Sequence, residues 1–219
     1  MIPRVQGQRG RGHAARAFFF AAVLLLLLAG CASAPKGEVS ILPSPQRQAT
    51  HQVVAESIVA SLGGAAVTVR WLAAAGVEQY FESKPGLVYP WPREVWKLAP
   101  PTVFFLRIRN QTPEDVQFDP TLAALVTQDG RRQHPVSYEE MYQHLEGAEG
   151  AGARLRSLQA TLLSRFVVIA PGGQREGLLV FPALDPGAKH LLLEFASFYV
   201  GGHVVPGLFE FQVLRQQTK

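Results

Sequence analysis

Thr102-Val103-Phe104-Phe105-Leu106-Arg107-Ile108-Arg109 is the stretch that decides the fold. Phe104, Leu106 and Ile108 alternate with Arg107 and Arg109, the period of a strand with one face toward a core and one toward water. Asn110-Gln111-Thr112-Pro113 then supplies turn chemistry. Upstream, Val67, Val69 and Trp71 alternate with Thr68 and Arg70 behind a Gly63-Gly64 bend, which predicts a second strand of the same kind. Downstream come a short strand over Val116–Phe118, stopped by Asp119-Pro120, and another over Leu122–Thr127. Gln128-Asp129-Gly130 predicts a hairpin through a type I′ turn, with Arg131–Val136 as its returning strand.

Two helices interrupt the strands. Ser137-Tyr138-Glu139-Glu140 has the S-x-x-E form of a capping box, followed by Met141, Tyr142 and Leu145 at apolar spacing. After the joint at 146–152, Leu155, Leu158 and Leu162 predict a second helix over Arg154–Ser164. Strands resume at Phe166–Ala170, Glu176–Pro182, His190–Phe198 and Leu208–Leu214, separated by Pro171-Gly172-Gly173, Asp185-Pro186-Gly187 and Gly201-Gly202. About eight strands with frequent turn signals and no βαβ alternation predict a mainly β chain: an antiparallel β-sandwich with a two-helix insertion at about 137–164.

The pattern F-x-L-x-I-x-N at Phe104–Asn110, with P-G-G-x-x-x-G-L-L-V-F-P at Pro171–Pro182, is similar to the immunoglobulin-like domains found in secreted bacterial lipoproteins. The likeness covers Thr102–Leu214 and implies an immunoglobulin-like sandwich. The Cys…Trp…Cys arrangement of antibody domains is absent, and the helical pair interrupts the sandwich.

Charge is unevenly placed. The chain has 219 residues, with 21 Lys and Arg against 17 Asp and Glu. Arg4, Arg9, Arg11 and Arg16, in an opening stretch with no carboxylate, account for the whole net charge of +4. The remainder of the chain is formally neutral, so it lacks the basic footprint of a nucleic-acid binder. Ala17–Ala29 is a run of 13 apolar residues, shorter than the roughly 20 that span a bilayer. A basic segment, a short apolar segment and small residues after it are the parts of a bacterial export signal.

Leu28-Ala29-Gly30-Cys31 closes that signal, and Cys31 is the chain's single cysteine. This resembles the lipobox of bacterial lipoprotein precursors. The resemblance implies cleavage before Cys31, a diacylglycerol thioether and an acylated (palmitate-type) amino group there, and a lipid bilayer as the partner of the anchor. Two or more acyl chains make such attachment stable, at ~0.8 kcal/mol per buried methylene. Ala32, in place of an aspartate, implies delivery to the outer membrane, facing the periplasm. Pro35, Pro43 and Pro45 among polar residues predict an extended tether. The expected organisation is a signal peptide over 1–30, lipidated Cys31 and a tether over 31–50, and a sandwich domain over 51–219.

Catalytic chemistry is sparse. His51, His134, His144, His190 and His203 stand at no zinc-ligand spacing and are expected on the surface or on edge strands, so neither a metal nor another cofactor is expected. No serine lies in a G-x-S-x-G elbow. Glu139 and Glu140 are adjacent carboxylates, but neighbours on a helix diverge by ~100° and Glu140 is committed to the cap. One segment stands out: Tyr89, Trp91, Arg93 and Trp96 lie among prolines on an irregular connection. Such residues are a candidate surface for a protein or glycan, and the competing reading folds the rings back onto the sandwich edge or the helical pair. The resulting expectation is a non-enzymatic lipoprotein serving as a binding or assembly module in the cell envelope. The alternatives are an envelope hydrolase acting on cell wall or polysaccharide, and a structural accessory subunit of a secretion or surface apparatus.

Overall fold

The computed structural model describes residues 39–91 and 100–215. Among them the chain is mainly β, an antiparallel β-sandwich with a helical insertion. The first five-stranded sheet takes its strands from both ends of the domain. Its order is β1 (Val39–Pro43), β14 (Gly207–Arg215), β11 (His190–Phe195), β7 (Ala123–Thr127) and β8 (Arg132–Gln133). The second runs β10 (Gln174–Ala183), β5 (Pro101–Arg109), β4 (Ala65–Leu72), β3 (Ser57–Leu62), β2 (His51–Val54). A smaller four-stranded sheet orders β13 (His203–Val204), β12 (Phe198–Val200), β6 (Val116–Phe118) and β9 (Val167–Ile169).

Period-two alternation puts Phe104, Leu106 and Ile108 of β5 into the space between the sheets, together with Val67 and Val69 of β4 and Phe209 and Phe211 of β14. Phe104 meets Phe211 across the sandwich with ring centroids 5.1 Å apart. Phe118 of the small sheet meets Phe195 at 4.8 Å, which closes one side of this core.

The other face of the second sheet has a core of its own. Leu178 and Val180 of β10 and Val103 of β5 pack against α1 (Ala74–Glu82), α2 (Tyr138–Leu145) and α3 (Ala151–Thr161), through Val77, Phe81, Met141, Leu145 and Leu158. β10 is thus buried on both faces over Leu178–Phe181, and its sequence reads LLVF without alternation for that reason. Gly177 lets the chain cross here: a Cβ would lie 2.5 Å from the Thr161 carbonyl and 2.8 Å from Leu163.

Several expectations hold in detail. Ser137 caps α2 as a complete capping box, and Gly63-Gly64 forms a two-residue hairpin with φ of +56° and +92°, the conformation glycine adopts without cost. Others need correction. Fourteen strands are present among the described residues, not about eight, because β1, β2, β3 and the short β13 join and the run at 190–198 divides. That division comes from a change of sheet. Phe195 ends β11 and Phe198 begins β12, with the Ser197 hydroxyl tied to the Asp119 carbonyl at 2.7 Å.

Part of the stretch expected as a tether over 31–50 is folded instead. Val39–Pro43 is a strand, paired residue by residue with Phe211–Arg215. The Gln46 amide then donates to the Glu210 carbonyl at 2.8 Å, so among the described residues the sandwich already includes Val39–Pro43, ahead of the expected start at His51. Residues 1–38 lie outside the described residues, and the expected signal peptide and Cys31 with them. The hairpin at Gln128-Asp129-Gly130 is a three-residue loop with Gly130 alone at positive φ, not a type I′ turn. Its returning strand is only Arg132–Gln133, because the Val136 amide has already crossed to the Val180 carbonyl of the second sheet. α3 begins at Ala151 and ends at Thr161, three residues earlier at each end than expected.

Candidate functional site

The second sheet presents one open region, on the helix-bearing face beyond the helices. Phe105, Arg107 and Arg109 alternate outward from β5, and Arg70 stands beside Phe105 through the β4–β5 register. The Phe105 ring lies under both guanidiniums, with Arg107 5.4 Å and Arg70 5.9 Å from its centroid. The ring's electron-rich faces attract both cations, which allows two like charges to stand close together.

Glu176 of β10 is opposite Arg107. It accepts two hydrogen bonds from that guanidinium, at 3.0 and 2.9 Å, and one at 2.9 Å from the Lys84 ammonium. The Lys84 bond, then that of Arg107, holds the Glu176 carboxyl below its ordinary pKa against the opposing effect of burial. Lys84 also sits 4.8 Å from the Tyr80 ring centroid, and Tyr80 packs on Phe105 at 6.0 Å. Burial first, then the Glu176 charge, pushes the Tyr80 hydroxyl up to about 12. Tyr80 is therefore a neutral hydrogen-bonding group at any physiological pH. Arg70 and Arg109 form no ion pair with any described residue.

The aromatic segment expected as a binding surface divides. Trp91 is 3% exposed and belongs to the core beneath the helices, its ring 5.9 Å from Phe81 and 5.8 Å from Tyr89. As a contact surface Trp91 is thus a correction: an indole that large is more stable covered than wet, and α1 provides the cover. Tyr89 is half-buried against the same Phe81 at 6.2 Å. Arg93 and Trp96 lie outside the described residues.

Three of the clefts that carry titratable groups bear on catalysis. The first, of about 640 Å³, is lined by Arg131, Arg132, Gln133 and Asp185, and there Asp185 is held by Arg131 and its carboxyl kept low by that bond. A second, of about 500 Å³, holds Tyr138, Arg165 and Arg175 beside Phe166. A third, of about 380 Å³, brings Glu140 and His144 beside Trp91 and Met141. Glu140 is the capping carboxylate: it accepts from the Ser137 amide at 2.7 Å, and that bond lowers its pKa. It stays charged and committed there, which suits a structural acceptor and not a proton donor.

Among the described residues no group of three or more His, Cys, Asp or Glu is placed to hold a metal ion. His134, His144, His190 and His203 are exposed. His51 lies on the edge strand β2, as expected, and is only 6% exposed, its ring 5.0 Å from Phe209 and its Nδ1 3.0 Å from the Thr50 hydroxyl. Burial lowers its pKa, and the nearby Glu210 charge opposes that.

Sequence reasoning placed Arg107 and Arg109 outward but did not find the platform they belong to. Its other members, Arg70, Lys84 and Glu176, come from separate elements, and only the strand register brings them together. No protein-family model, curated protein or solved structure matches this chain.

Proposed function

We propose that this chain is a lipid-anchored bacterial lipoprotein whose sandwich domain is a non-enzymatic binding or assembly module of the cell envelope, attached through acylated Cys31. The observation that supports the reading is Leu28-Ala29-Gly30-Cys31, which closes a basic and then apolar stretch and carries the chain's single cysteine, eight positions ahead in sequence of Val39, the first described residue of the β-sandwich. The location we propose is the outer membrane, facing the periplasm. A folded domain offering an arginine-lined sheet face, with its cleft carboxylates committed to structural bonds, supports binding over hydrolysis.

Metabolic labelling with a radioactive or clickable fatty acid tests the anchor. Wild-type protein is expected to take up the label and to lose residues 1–30 from its mass, and Cys31→Ser to accumulate unlabelled at precursor mass. Labelled, processed Cys31→Ser protein would overturn the reading.

A further inference from the structure

We infer that the outward face of the second sheet, at Arg70, Arg107 and Arg109, binds an anionic polymer of the envelope: a glycan strand bearing phosphate or carboxylate groups. The inference deepens the binding-module reading and rests on it, but it is independent of the lipid anchor.

Three observations carry it. The first is charge asymmetry. Beyond the opening stretch the chain is formally neutral, yet this face carries Arg70, Arg107, Arg109 and Lys84, of which only Arg107 and Lys84 pair with a carboxylate, that of Glu176. Like charges on neighbouring strands destabilise a sheet, and here two guanidiniums share one aromatic ring. Such an arrangement is stabilised when an anion joins it.

The second is availability. Arg70, Arg107 and Arg109 are exposed, and Arg70 and Arg109 have their donors uncommitted among the described residues. The planar guanidinium fork fits phosphate and carboxylate oxygens in pairs.

The third is shape. The neighbouring positions on this face are Ser57, Val59, Ser61, Ala66 and Thr68, short side chains that leave an open shelf. Arg107 and Arg109 stand two residues apart on one strand, ~6.8 Å, and Arg70 lies on the next. An open shelf with spaced cations suits repeated charges along a chain better than one enclosed small anion.

The test uses the full chain, acylated and in detergent, with three probes: a phosphorylated dextran, a polyuronate and a neutral dextran. Wild-type protein is expected to bind at least one anionic polymer, more weakly as salt rises, and to ignore the neutral one. The double variant Arg70→Gln/Arg109→Gln, which leaves the Arg107–Glu176 pair in place, is expected to bind at least tenfold more weakly with a flatter salt dependence. Arg131→Gln/Arg132→Gln, which removes two arginines of the first sheet's hairpin, is expected to bind as wild type. Thermal melts of both variants separate loss of contact from loss of fold, and Arg70→Lys/Arg109→Lys retains charge without the fork. Equal binding by wild type and the Arg70/Arg109 variant would overturn the inference. So would binding to neither anionic polymer. Fatty-acid labelling of Cys31 reports on the anchor alone, so failure of either reading is seen separately.

Discussion

The Asn110 side-chain amide donates to the Ile169 carbonyl at 2.8 Å, and so ties the end of β5 to β9, the edge strand of the small sheet. The same amide donates to the Glu114 carbonyl at 2.7 Å, while its oxygen accepts from the Thr112 amide and hydroxyl at 2.9 and 2.8 Å. Asn110 itself is fully buried, and its bond to Ile169 is made away from competing water, while those to Glu114 and Thr112 are part-buried. Asn110→Ala leaves two carbonyls and the Thr112 donors without this partner. We expect a loss of about 2–3 kcal/mol, from the ~1–3 kcal/mol cost of an unsatisfied buried polar group, read as a lower urea midpoint at unchanged slope.

Trp91→Ala is expected to cost about 3–5 kcal/mol, the usual range for emptying a buried aromatic site, because the indole is 3% exposed against Phe81 and Tyr89. Trp91→Phe should recover most of the loss. An alanine variant with unchanged melting temperature would return Trp91 to the surface.

Stability should fall as pH drops below 6.5. His51 is buried, which lowers its folded-state pKa below the 6.5 of the unfolded chain, with Glu210 acting in the opposite sense. A histidine with a depressed folded pKa binds protons more readily when unfolded. Its contribution is therefore intact above the unfolded pKa and is lost as pH falls from there toward the folded value. Denaturant titrations from about pH 7.5 down to about pH 5 should show the decline, and His51→Phe should reduce it.

Ala55 has φ of +53°, the one non-glycine residue at positive φ among those described, in the two-residue turn joining β2 and β3. Ala55→Gly removes the steric cost of that conformation. We expect about 0.5–1 kcal/mol of stabilisation after the added unfolded-state entropy is counted, measured as a raised melting temperature.

Gly177→Ala should destabilise by about 1–3 kcal/mol, the usual cost of overpacking. The new methyl would meet the Thr161 carbonyl, which is backbone and cannot swing aside. Hydrogen exchange should quicken first in the 161–163 segment, where the Leu163 amide bonds the Leu178 carbonyl at 2.9 Å.

What could be read from the sequence was what is decided locally. The alternation at Thr102–Arg109 and the S-x-x-E box at Ser137–Glu140 encode their structures within one element, and both formed as expected. α1 carries no such mark: Ala73 at its N-cap has no side-chain acceptor, and Gly76 weakens its first turns. It is helical because Val77 and Phe81 find a covered face. β1 is a strand because β14, more than 160 residues later, supplies its hydrogen bonds, and Pro43 is tolerated at its end because the strand is an edge. The arginine platform was hidden for the same reason. Arg70, Lys84, Arg107 and Glu176 meet only through tertiary pairing, and single-segment patterns carry no information about that.

The antiparallel pairing of β1 with β14 also sets how the domain responds to force. Val39 stands beside Arg215, so tension applied between the amino-terminal and carboxy-terminal sides of the domain meets β1 and β14 at the same end of their seam. The pairs from Val39–Arg215 to Pro43–Phe211 would then open one after another, as in unzipping, whereas shear would require the whole short strand to slide at once. A domain tugged between those two sides would thus yield gradually, and the seam that gives way first would be the one holding its first strand to its last.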